Sequence, residues 1–193
     1  MTRNRLLRLP AVVAALLCAA ALAACGSGGQ EPGHEGSSEG AYVETGNLIY
    51  QVQLSRELNP ASVEDRQYLA GLSSGTAQPA ADEEWFGVWL RVQNDSSSPQ
   101  DAASDFKIVD TLGNEYRPIV LPATNAFSYQ PTRIQGKDGQ PLLPDPESPA
   151  GTGPTQGAML LFKLNTSVYG NRPLQLEITP PDGGDPASVV LDL

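Results

Sequence analysis

Sulfur and imidazole are scarce in this chain: its 193 residues include two cysteines and one histidine. Thiolate and histidine metal sites need several such ligands at set spacings, and a Cys–His nucleophile needs a matched pair. Basic residues are also in short supply, with 12 Lys and Arg against 22 Asp and Glu. A basic stripe is the electrostatic footprint of phosphate binding, so the sign of this charge argues against nucleic acid as a partner. Long apolar runs are missing as well. The longest, Ala11 to Ala24, falls short of the roughly 20 residues that cross a bilayer and has the length of a signal-peptide core. No helical period of any length and no internal repeat is present.

What is there begins with Arg3, Arg5 and Arg8 ahead of that apolar core, the charge order of an export signal. Leu22-Ala23-Ala24-Cys25 closes it and resembles the lipobox of bacterial lipoproteins, in which a diacylglyceryl group alkylates the cysteine sulfur and the chain is cut just before it. The resemblance implies a signal peptide over 1–24, a lipidated Cys25, and a cell-membrane location facing outside the cytoplasm. Two or three acyl chains hold a protein stably at a surface where one holds it marginally. Cys18 leaves with the signal and Cys25 is modified, so no thiol remains for a disulfide and stability rests on burial. Nine basic and 22 acidic residues then remain, a formal charge of −13.

Cys25 and the segment GSGGQEPGHEGSSEGA, together 25–41, read as a flexible tether, because nothing in them offsets the cost of ordering. His34 lies inside it. From Asn47 the pattern turns to alternation, with Leu48, Tyr50, Val52 and Leu54 on one face of a strand. Ser62 with Asp65 three residues on forms an acidic variant of a capping box, which places a short helix over Val63 to Leu72. Phe86, Val88, Leu90 and Val92 alternate with Trp85, Gly87, Trp89 and Arg91 in the clearest strand of the chain. Phe106 to Val109 starts another, turned toward Tyr116 by Leu112-Gly113-Asn114. Residues 118–154 are rich in Pro and Gly, and three strands follow at Gly157–Leu164, Leu174–Ile178 and Val189–Leu191. About seven short strands, one short helix and a long Pro-rich loop specify an all-β, antiparallel β-sandwich over 42–193.

Val92-Gln93-Asn94, then Phe106-Lys107-Ile108-Val109-Asp110 with Gly113 and Tyr116, then Gln156-Gly157 leading to Leu160-Leu161-Phe162, and the closing Leu174-Leu176-Ile178 strand occur in an order with a known parallel. That order resembles a family of bacterial extracytoplasmic lipoproteins whose immunoglobulin-like module has no assigned activity. The resemblance implies an immunoglobulin-like sandwich at the cell surface, and it carries over no catalytic residue.

Chemistry-bearing patterns are few. Gly71-Leu72-Ser73-Ser74-Gly75 matches the G-x-S-x-G elbow, yet it lacks the strand before and the helix after, and the sole histidine is in the tether. A Gly/Ser loop explains it. Asp82-Glu83-Glu84 and Asp182-Gly183-Gly184-Asp185 offer oxygen ligands without EF-hand spacing, so no metal and no cofactor is assigned. Trp85 and Trp89 share the strand face opposite Phe86, Val88 and Leu90. Two indoles flanking a glycine suit a stacking platform for a sugar or peptide, or else lie under a loop and shield the backbone at Gly87. Phe127 and Tyr129, in Asn125-Ala126-Phe127-Ser128-Tyr129, supply either that cover or a binding loop. The expectation is a non-enzymatic, lipid-anchored envelope module that contacts a protein or gives structural support. The alternative is a glycan- or small-ligand-binding lipoprotein using Trp85 and Trp89.

Overall fold

The computed structural model describes residues 32–192. The expected signal peptide 1–24, Cys25 and the start of the tether lie outside the described residues.

Seven strands of four or more residues build the domain: β2 (Tyr42–Thr45), β3 (Leu48–Leu58), β4 (Glu83–Gln93), β6 (Asp105–Val109), β10 (Ala158–Asn165), β11 (Leu174–Thr179) and β12 (Ala187–Leu191). Five two-residue strands extend or bridge them: β1 (Glu35–Gly36), β5 (Gln100–Asp101), β7 (Glu115–Tyr116), β8 (Arg133–Ile134) and β9 (Leu142–Leu143). One sheet runs β1-β12-β11-β6-β7 and a second runs β10-β4-β3-β2, with β9 also pairing β4. Their inner faces share one core, in which Tyr50, Val52, Phe86, Val88, Leu90 and Phe162 meet Phe106, Ile108, Leu176, Ile178 and Val189. This is a β-sandwich, as the alternating pattern predicts.

Three sequence expectations need correction. The tether ends earlier than Ala41. Gly33 bridges Val43, β1 pairs in parallel with β12, and the His34 carbonyl accepts from the Ser188 amide at 2.8 Å. Gly36 is buried, where an added Cβ would lie 3.1 Å from Ala41 and Val43, so a glycine chosen for flexibility by composition is here a packing residue. Glu39 adds side-chain anchors by accepting from the Ser55 hydroxyl and from the Asp192 amide.

The second correction concerns β3. A bulge between Val52 and Leu54 shifts its register on β4, so Val52 faces Leu90 while Leu54 faces Trp89. One extra residue moves every later side chain to the other face. Leu54 and Leu58 therefore leave the inner core and join the outer one.

The third is the helix, which spans only Val63–Arg66, with a second single turn at Pro149–Thr152. Ser62 does cap it, accepting from the Glu64 amide at 3.2 Å. Asp65 does not return to Ser62 as a capping box requires. It accepts from Arg56 at 2.6 Å and from the Asn59 amide at 2.9 Å, tying the segment back to β3.

Candidate functional site

The outer face of the β10-β4-β3-β2 sheet is divided along β4. Every residue from Trp85 to Leu90 is buried, so both faces of the strand are covered there, whereas Arg91 and Gln93 are half-buried.

In the covered half, Trp85 and Trp89 are 1% and 0% exposed. They form a second apolar cluster with Leu58, Tyr68, Leu121, Met159 and Leu161. Tyr68 meets the Trp89 indole edge-on at 5.1 Å, and the Arg56 guanidinium stands 5.3 Å from the same ring. Gly87 explains how so much ring fits: a Cβ there would lie 2.7 Å from the Trp89 ring edge and 3.1 Å from the Met159 sulfur. The indoles shield the strand at Gly87. Neither indole N–H finds an acceptor among the described residues, an omission that costs about 1–3 kcal/mol each and is outweighed by the burial.

The cover is the Pro-rich strap that the sequence leaves irregular. The Ile119 amide donates to Leu161 at 2.7 Å, and the Met159 amide donates to the Phe127 carbonyl at 2.6 Å. The Tyr129 amide donates back to the Met159 carbonyl at 2.8 Å. The strap thereby satisfies backbone groups along the outer edge of β10, which would otherwise be an unpaired row. Asn125, a buried residue that sequence reasoning missed, clips it to the 67–70 segment by donating to the Tyr68 and Ala70 carbonyls at 2.9 and 3.0 Å. Asn-Ala-Phe in a loop carries no signal that would mark this asparagine as structural.

The aromatic platform is thus overturned, since a buried ring has no face to offer a ligand. Phe127 is half-buried and packs edge-on against Tyr68 at 4.9 Å, as part of the cover. Tyr129 belongs to the inner core, where its hydroxyl donates to the Ala103 carbonyl at 2.8 Å and its ring meets Phe106. Tyr50 accepts from the Ala103 amide at 2.8 Å, and burial pushes its phenol up to about 12. The two tyrosines clamp one residue, Ala103, from both sides of its backbone.

The acidic patterns are drawn apart. Lys163 binds Glu83 at 3.0 Å, Glu84 accepts from Tyr169 at 2.7 Å, and Asp82 accepts from Asn165 at 3.1 Å. Burial raises the Glu84 carboxyl above its ordinary range, against the Tyr169 hydrogen bond. Asp182 caps its own turn at the Gly184 amide. In the Gly-x-Ser-x-Gly loop, the Ser73 hydroxyl accepts from the Gly75 amide at 3.3 Å, which is turn chemistry.

The open half is built by register. Tyr42 pairs with Gln51 and Gln51 with Arg91, which makes one row across the sheet. Glu44, Ile49, Gln93 and Leu142 make the next, through successive pairs on β2, β3, β4 and β9. A hollow of about 80 Å³ lies over Tyr42, Ile49, Gln51, Gln93 and Leu142, with Arg91 on its wall. A groove of about 410 Å³ also borders Arg91 and is walled by Pro144, Pro146, Gly151, Thr152, Gln156 and Gly157. Arg91 thus lines both spaces. Among the described residues its side chain has no carboxylate or hydrogen-bond acceptor, which is also true of the exposed Arg66 and Lys137, whereas Arg56, Lys107, Arg117, Arg133 and Lys163 each face an acid.

No protein-family model matches the chain, and no curated protein does. Among solved structures it is similar to the "putative lipoprotein (ycdA)" of Bacillus subtilis, at 15% identity and a TM-score of 0.50 over 81% of this chain and 39% of that one. The chain therefore spans about two-fifths of the length of that protein. An uncharacterized β-sandwich protein of Clostridium difficile matches at 12% identity and a TM-score of 0.43, over 84% of this chain and 95% of that one. A conserved hypothetical protein of Bacillus anthracis matches at 10% and 0.45, over 79% and 94%. The first of these is a likeness of fold.

Proposed function

We propose that this protein is a non-enzymatic module, lipid-anchored through Cys25 outside the cytoplasm, that presents its β-sandwich to another component of the cell envelope. The observation that carries the reading is Leu22-Ala23-Ala24-Cys25 at the end of an Arg-led apolar segment of signal-peptide length. The immunoglobulin-like order of the later strands supports it, as does the fold likeness to a protein described as a lipoprotein. The sole histidine gives its carbonyl to the sheet edge, and Asp82, Glu83, Glu84 and Asp182 are engaged in separate structural contacts, which supports a binding or structural role over catalysis.

The early end of the tether sharpens this reading. Eight residue steps separate Cys25 from Gly33, the first of the described residues paired to the sheet, and a chain reaches at most about 3.6 Å per residue. The domain is then held within about 29 Å of its anchor, close enough to meet components at the membrane face. Replacing Cys25 with Ser tests the anchor: the wild-type protein pellets with membranes, and the variant is expected in the soluble extracytoplasmic fraction. Continued pelleting of Cys25→Ser would overturn the lipid anchor.

A further inference from the structure

We infer that the groove divided by Arg91 is a binding site for a short saccharide bearing a single carboxylate. This inference names a ligand class for the module proposed above, and it stands on the groove itself, so its test does not pass through Cys25.

The first argument is the state of Arg91. A guanidinium presents five N–H donors in a fixed planar fork, which matches a carboxylate bidentately. In this acidic chain five other basic residues face acids; of the cations without an acceptor among the described residues, Arg66 and Lys137 are exposed, while Arg91 on β4 is half-buried and lines two open spaces. Partial burial reduces the screening of a pair formed there, so an incoming carboxylate gains more than it would at a bare surface.

The second argument is the lining. Gln51 and Gln93 flank Arg91 on the sheet, and Thr152 and Gln156 lie across the groove. The Gln51 amide is held in place, donating to the Gly40 carbonyl at 2.7 Å and accepting from Gln53 at 2.5 Å. Gln93, which also lines the hollow, is oriented by donating to Asp95, and its carbonyl stays available as an acceptor. The amides give both donors and acceptors, and the Thr152 hydroxyl, which donates to the Ser148 carbonyl at 3.0 Å, adds an acceptor, as sugar hydroxyls require. Tyr42, 57% exposed at the end of the row, adds an amphipathic ring face.

Strand pairing, groove polarity and net charge discriminate among ligands. A peptide bound as an added strand needs an unpaired edge; β4 is paired with β3 on one side and with β10 and β9 on the other, and the terminal strand β2 is bridged at Val43 by Gly33, whose carbonyl accepts from the Glu44 amide. A helix needs an apolar groove, and this one is polar. The chain's formal charge of −10 repels polyanions, so a ligand with one negative charge meets Arg91 at the lowest cost.

Isothermal titration of the full chain in mild detergent tests the site, with a glucuronic-acid-containing disaccharide as probe and cellobiose as its neutral counterpart. The expected result is binding of the uronate that weakens with added salt, with cellobiose bound at least about tenfold more weakly. Arg91→Gln is expected to lose about tenfold or more, and Arg91→Lys, which keeps the charge and loses the fork, to lose less. Unchanged tryptophan fluorescence would confirm that both variants are folded. Equal binding of cellobiose, unchanged binding by Arg91→Gln, or no uronate binding at millimolar concentration would overturn the inference. Preference for glucose 6-phosphate or for acetyl-Ala-Ala would also overturn it, in favour of a phosphate or a peptide carboxylate. None of these results bears on membrane attachment, and release of Cys25→Ser would leave the groove inference standing.

Discussion

One sheet face carries two solutions to the same problem. Toward the N-terminal end of β4, Trp85, Gly87 and Trp89 point outward and are sealed by the strap and the 59–72 segment. Toward its C-terminal end, Arg91 and Gln93 point outward and are left beside open grooves. The strand is continuous, but the β3 bulge between Val52 and Leu54 falls at the boundary and turns Leu54 and Leu58 toward the covered side. Residue chemistry adds to this: large apolar rings require cover, and a guanidinium with amides does not. Irregular chain seals the sheet where burial rewards it, and only walls the groove beside Arg91.

The strongest way to break the contrast is Trp89→Ala. It empties the centre of the covered half, and its effect should resemble other large-to-small core changes, a loss of about 3–5 kcal/mol. Urea unfolding followed by circular dichroism measures it. A loss below about 1 kcal/mol would mean the strap collapses onto the sheet without the indole, and the cover would then be a loose lid.

These halves were unequally legible in the sequence. The strands of the sandwich follow from alternation, which also sets Trp85 and Trp89 opposite the Phe86-Val88-Leu90 face. Alternation alone does not reveal a bulge, so Leu54 was placed on the inner face. The strap was illegible because its pairing runs through the backbone groups of Ile119, Phe127 and Tyr129, which impose no period on side chains. The open site was illegible for another reason. Tyr42, Gln51 and Arg91 are far apart along the chain, and only the registers of β2 on β3 and β3 on β4 bring them into one row.

A smaller effect sharpens the edge of the covered half. The Arg56 guanidinium beside Asp65, with the Asn59 amide, holds that carboxyl below the ordinary range despite its partial burial. A depressed carboxylate contributes stability that is present above its unfolded value, near pH 4, and is lost as pH falls through the folded value. Asp65→Asn should therefore be less stable than wild type at pH 7, and the gap should shrink below about pH 4. Urea midpoints at the two pH values measure it. A gap that persists unchanged in acid would assign the effect to packing of the 62–66 turn.

The smallest expected effect falls in the open half, and its smallness is the point. Arg91 has no acid to leave unpaired and no covering layer to unseat, so Arg91→Gln removes no pair from the folded domain. Surface changes of that kind usually stay within about 0.5 kcal/mol. Thermal melts of wild type and variant should nearly coincide, in contrast with Trp89→Ala on the same strand. A substantial loss would show that Arg91 supports the Pro144–Gly157 wall, and the division of the face into a structural half and a binding half would fail. A near-neutral result separates the two roles physically: the fold then depends on what covers Trp89, while Arg91 is retained at little cost and is available to an anion.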